Sequence, residues 1–263
     1  MRAFRLINRF LQASAQQEMA YRANFWIKLL HSLLQLGVGV MSLQVIFSQV
    51  QALHGWDYPS ALALLGVYLL VSALRGLFMS PSFDALVGLG GDVFTGRFDF
   101  TLLRPVGVQF FVSVRHWQLF SLLDVLLGLG VLGAAMLQLG AQLSLAQTLV
   151  FVITLLAGLV VLYALLLACS ALVFWAPDFL YTWLFDGVFQ LARYPVGIYP
   201  GWLKLVLTWI IPVGLMTTIP AQALVGRLPL PVLVGSLALA PLAFLGASAL
   251  FRLGLKRYAS ASS

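Results

Sequence analysis

The stretch GRFDFTLLRPVGVQFFVSVRHW, residues 96–117, places three arginines, an aspartate and a histidine in an otherwise apolar chain. Long hydrophobic runs flank it: ALALLGVYLLVSALRGLFM (61–79) before, and an apolar stretch reaching Leu139 after. Two membrane spans need only a short plain turn between them. That much charge calls for a reason.

The composition settles the class. Of 263 residues 62% are hydrophobic and 9% charged, with mean hydropathy +1.00, whereas soluble domains carry roughly 25% charged residues. The apolar segments are long runs, not ten-residue alternations, so they read as helices and not as barrel strands. The expected fold is all-α, a polytopic membrane protein in one domain. The net charge of +7 then needs no nucleic acid, because Lys and Arg collect in loops on the cytoplasmic side. Residues 1–28 carry five basic side chains and residues 75–115 carry four, while loops 52–60 and 139–145 carry none. Both the N-terminus and the opening stretch are therefore expected in the cytoplasm, as is the basic tail with Arg252, Lys256 and Arg257.

Expected spans are 27–51, 60–80, 113–139, 145–175, 179–197 and 229–251, with 81–112 as a cytoplasmic loop. Residues 1–26 read as an amphipathic surface helix: Phe4, Ile7, Phe10 and Leu11 recur at helical spacing with Arg2, Arg5 and Arg9 between them, a pattern of interfacial helices and not of signal peptides. Residues 200–226 are cut by Pro200, Pro212 and Pro220. They read either as one proline-kinked span or as two short helices that dip in and return on the outer side, and ten-residue segments between prolines favour the re-entrant form.

Catalytic motifs are missing. GLGGDVFTGRF (88–98) is glycine-rich but has no Lys-Ser/Thr pair to clamp a nucleotide. His31, His54 and His116 are scattered, no GxSxG occurs, and the single Cys169 permits no internal disulfide. An enzyme, a metal site and a resident cofactor are not expected. Three charges fall inside spans, where each is costly and marks protein or water. Asp124 and Asp186 lie roughly 12 Å in from the cytoplasmic side at 1.5 Å per residue, with Arg75 in reach of either. They read as a polar cluster at an inner gate, or as a static ion pair holding helices in register.

YRANFW (21–26), GRFDFTLLRPV (96–106), LARYPVGIYPGWLK (191–204), IPVGLMTTIPAQAL (211–224) and GLKRYASASS (254–263) occur in an order and spacing that resembles ABC-2 type permeases, the membrane subunits of a class of ABC exporters. The likeness is to a bacterial branch without an assigned substrate. It implies six spans, an N-terminal amphipathic helix, a cytoplasmic coupling helix, an outer re-entrant pair, and a bacterial inner-membrane location. It also implies two permease subunits, identical or paralogous, and separate ABC ATPase subunits that bind ATP–Mg and push on the loop between spans two and three. The residues fit such docking: Gly96 for a close turn, Pro105 as a rigid stop, Arg97, Asp99 and Arg104 to pair with a soluble partner, and Phe98, Phe100, Leu102 and Leu103 to fill a groove. Walls nearly free of charge favour an amphipathic, lipid-like or apolar cargo. An ion-coupled secondary transporter and a non-transporting assembly protein are the competing readings; the first commonly shows an internal repeat, and none is found.

Overall fold

The computed structural model describes residues 2–140, 144–178 and 181–258; the end of the quoted tail and the start of the expected span 179–197 lie outside them. Helix α1 is Arg2–Ala20 and α2 is Arg22–Gln49. The next helical run, α3, is Tyr58–Asp84, followed by the short α4, Asp99–Leu102, and α5, Val108–Val114. Then come α6, Leu119–Leu139, and α7, Leu145–Phe174. The last part holds α8, Thr182–Gln190, the bent pair α9, Gly201–Ile210, and α10, Gly214–Val225, and finally α11, Leu230–Arg257. Among the described residues α2, α3, α6, α7 and α11 are each long and apolar enough to cross a membrane, and the bent pair makes a sixth if it is one span.

Helix α3 is the axis of the bundle and the most buried of these five. Its start is fixed by Asp57, whose side chain accepts from the Ser60 N–H at 3.2 Å. Helix α7 starts with a capping box, Ser144 and Gln147 satisfying each other's backbone N–H. Close packing of α3 on α6 depends on small residues: a Cβ on Gly128 would lie 2.9 Å from the Leu70 nitrogen, and one on Gly66 would lie 2.8 Å from Leu132 Cγ.

Pro81, expected to close the second span, sits inside α3. A wider turn, Arg75–Met79, precedes it. Proline has no N–H to offer the carbonyl four residues back, and Leu77 O instead accepts from Gln118 N–H at 2.9 Å. The third span correspondingly begins later than expected, at Leu119, with α5 as a separate helix.

The fifth passage is broken in two. Helix α8 has nine residues, about 13 Å, less than half of a bilayer core. It starts where Tyr181 bonds Ser170 at 2.9 Å and rises past Arg75 and Tyr68. There Thr217 of α10 donates to Ala192 O at 2.9 Å. Helix α10 carries on along α7, where a Cβ on Gly158 would lie 2.8 Å from Leu215 O, and reaches Arg227, which bonds Gly55 O at 2.8 Å. Gly226 ends it at φ +74°, a left-handed position that favours glycine. Residues 194–213 form a detour at the junction, and α9 leaves it at 74° to α10. The two helices expected at 200–226 are therefore present, bent at 74° to each other, with the second lying along α7 between the level of Ala192 and the far end. The expected continuous span 179–197 is correspondingly only a half-helix.

Candidate functional site

One end of the bundle gathers the basic loop; the far end holds Asp57, Gln147 and Arg227. At the basic end the chain leaves α3 and doubles back. Asp92 N–H donates to Ala85 O and Phe98 N–H to Asp92 O, both at 3.0 Å. Gly91 sits where the reversal is tightest, since a Cβ there would be 2.5 Å from two backbone oxygens. The Asp92 carboxylate pairs with Arg97 Nε at 3.2 Å and with Arg115, while Arg97 Nη2 donates to Gly90 O at 2.8 Å. Residues 85–98 are thus a folded unit locked onto the end of α5. Sequence reasoning missed Asp92; its only signal is an acid five residues before Arg97.

The six predicted coupling residues divide. Leu103 is 80% exposed, Phe100 beside it 68%, and Pro105 is exposed. Arg104 lies over the Phe111 ring at 4.7 Å, which holds its guanidinium at the surface. Arg97 is exposed but already internally paired. Phe98, expected to fill a partner's groove, is fully buried: its ring packs on Phe174 and Tyr258 at 5.4 and 5.2 Å. A bulky aromatic beside the ends of two spans is stabilised by filling its own core, so it anchors the loop to α7 and α11. Asp99 has the same orientation, accepting from Tyr258 Oη at 3.0 Å. Helix α5 adds a further tie, with Gln109 donating to Ser248 Oγ at 3.0 Å and Ser113 bonding Tyr163 Oη at 2.7 Å.

Between α5 and α6 the extended backbone is pinned from two sides. His116 N–H bonds Ser82 Oγ, Trp117 N–H bonds Ser14 Oγ, and Phe120 N–H bonds Glu18 Oε2. Burial, then the neighbouring Arg115 charge, pushes the His116 imidazole below its ordinary value. Burial raises the Glu18 carboxyl, partly offset by backbone N–H groups that favour the carboxylate. Helix α1, with Phe10 on Phe111 at 5.5 Å, therefore packs on this segment as well as presenting exposed apolar residues such as Phe4.

Behind the loop lie two adjoining cavities, about 500 and 360 Å³, that share Lys28, Ser80 and Gln118. All three predicted gate charges line the smaller one, but not as one cluster. Arg75 Nη2 bonds Asp186 at 2.6 Å and lies over the Phe185 and Phe189 rings at 5.3 and 5.1 Å. Asp124 pairs with Lys28 at 3.1 Å instead. Lys28, near the start of α2, is thus a member of the polar lining. Arg193, also missed, lies over Tyr68 at 5.5 Å, at the break in the fifth passage, so the walls are not as free of charge as expected.

The model of a family described as ABC-2 family transporter protein matches residues 33–262. No curated protein matches the chain. The matched region takes in the basic loop, most of the lining of the smaller cavity and all five long apolar helices bar the first turns of α2. The chain belongs to the ABC-2 transporter family, as a multi-pass membrane permease of an ABC transporter that works with ABC ATPase partners.

Proposed function

We propose that this chain is the permease of an ATP-driven exporter in a bacterial inner membrane, with both termini and the basic loop in the cytoplasm. Two permeases, identical or paralogous, line one pathway. Separate ATPase subunits hold ATP–Mg, and their closure presses on residues 96–105. The observation that carries this reading is the exposed Phe100–Leu103–Arg104–Pro105 ridge standing on a loop bonded to α1, α3, α7 and α11 at once. A push there moves several spans together, because packed interfaces shift as units and do not deform continuously. The vestibule behind it, with its Arg75–Asp186 and Lys28–Asp124 pairs, is the inner mouth. The mostly apolar walls above suit an amphipathic or lipid-like cargo.

The test is purification of the tagged protein from its native membrane in mild detergent. A stoichiometric ABC ATPase is expected, lost on Arg104→Glu with Pro105→Gly. ATPase retention by that variant contradicts docking at 96–105, and absence of any ATPase under several gentle conditions contradicts the exporter.

A further inference from the structure

Arg193 occupies an unusual place. Tyr68, over which its guanidinium lies, is ten residues from the start of α3 at Tyr58, so both sit about 15 Å from the far end at 1.5 Å per residue. That is the middle of a core about 30 Å thick. Among the described residues the Arg193 side chain makes no ion pair and donates no hydrogen bond, and its Nε is buried without a partner. The backbone beside it is irregular, a single turn, Val196–Ile198, between Pro195 and Pro200. Irregular backbone at that depth is tolerated only where protein covers it or where it lines a cavity, and a lone charge there is costly.

A second copy does not supply the missing acid. The chain has eight acidic residues, and a two-fold axis along the membrane normal preserves depth. Asp57 lies at the far end, and Asp186, seven residues before Arg193, lies about 10 Å nearer the basic end and is already held by Arg75. The smaller cavity ends at Tyr68 and Phe189, so the ring that supports Arg193 is also the inner limit of the vestibule.

We propose that Arg193 is a cargo-binding residue that takes a phosphate or carboxylate head carried on an apolar chain, at the break in the fifth passage. The guanidinium fork matches either head in two parallel hydrogen bonds, and the apolar walls take the chain. This rests on the permease reading and narrows its cargo to amphipathic anions.

The experiment follows thermal unfolding of the purified protein in dodecyl maltoside against added dodecyl phosphate, with the apparent affinity read from the concentration dependence. Wild type is expected to be stabilised. Arg193→Gln is expected to bind about tenfold or more weakly, the range for loss of a charge-assisted bond. Arg193→Lys is expected to keep much of the effect, and Arg252→Gln, an exposed tail arginine, all of it. Dodecyltrimethylammonium and inorganic phosphate are expected to be inert. Equal binding by Arg193→Gln overturns the proposal, and so does inorganic phosphate competing as well as the amphiphile, which makes this a free-anion site. If Arg193→Gln does not fold, Arg193→Lys decides: retained binding supports the proposal and lost binding overturns it. ATPase co-purification tests the permease reading separately, and neither result fixes the other.

Discussion

Replacing Asp92 with alanine should unlatch the basic loop without unfolding the bundle. The Arg115 side chain is 8% exposed and that of Asp92 15%. Two of the Arg115 nitrogens, Nε and Nη2, are already buried without partners. Removing one member of a buried pair leaves an uncompensated charge and costs about 3–5 kcal/mol. The other arm of the clamp contributes little, because Arg97 is 62% exposed and exposed pairs contribute about 0.2–1 kcal/mol. A loss of ~3 kcal/mol raises the locally open population about 100-fold, at 1.4 kcal/mol per tenfold. The reporters are the Thr95 and Phe98 amides, bonded to the Gly91 and Asp92 carbonyls, whose hydrogen exchange can be followed in detergent. Asp92→Ala should speed both by about that factor, Arg97→Gln by less than about fivefold. The pair Asp92→Leu with Arg115→Met should recover most of the protection, since an apolar pair carries no buried charge. Exchange in Asp92→Ala within a few-fold of wild type would refute the clamp.

Other outcomes follow from single contacts. Gly128→Ala should destabilise by about 1–3 kcal/mol through overpacking of α3 on α6, whereas Gly130→Ala and Gly133→Ala, whose added Cβ atoms meet nothing within 4 Å, should be neutral; denaturant unfolding of the three variants checks this. His116 titrates lower in the folded protein than its ordinary 6.5. Below 6.5 the unfolded chain binds the extra proton first, so the stabilisation present at neutral pH should fade as pH drops from 6.5 through the folded value. Melting temperature against pH should show that slope, and His116→Gln should remove it.

Much of the architecture is legible in the hydropathy profile. Spans one to four and the last one follow from apolar runs, and 201–211 and 213–225 from the proline spacing. What hydropathy cannot show is which carbonyl meets which N–H. Pro81 reads as a terminator until Gln118 is seen to serve Leu77 O. Residues 179–197 read as a span because their composition is apolar, yet the α-helix stops at Gln190 and Ala192 beyond it is held by Thr217 of α10. The coupling loop shows the same limit in its side chains. Exposed Leu103 and buried Phe98 are both apolar residues in a basic loop, and only packing separates them. The gate charges stand out by their rarity and Arg75 lies in reach of Asp186, but the partner of Asp124 does not show, because Lys28 sits six residues into α2 near the membrane surface, where a cation is ordinary. Arg193 was overlooked in a proline-rich segment; its signal is a lone arginine with no acid within six residues.

The most direct measurement places a photo-crosslinking amino acid at position 100 or 103 and, for comparison, at Leu137, which is 86% exposed toward the far end. Irradiation of the membrane with the partner ATPase present should give a permease–ATPase adduct from positions 100 and 103 and none from 137. Adducts to lipid alone from 100 and 103 would contradict docking of the ATPase on this ridge.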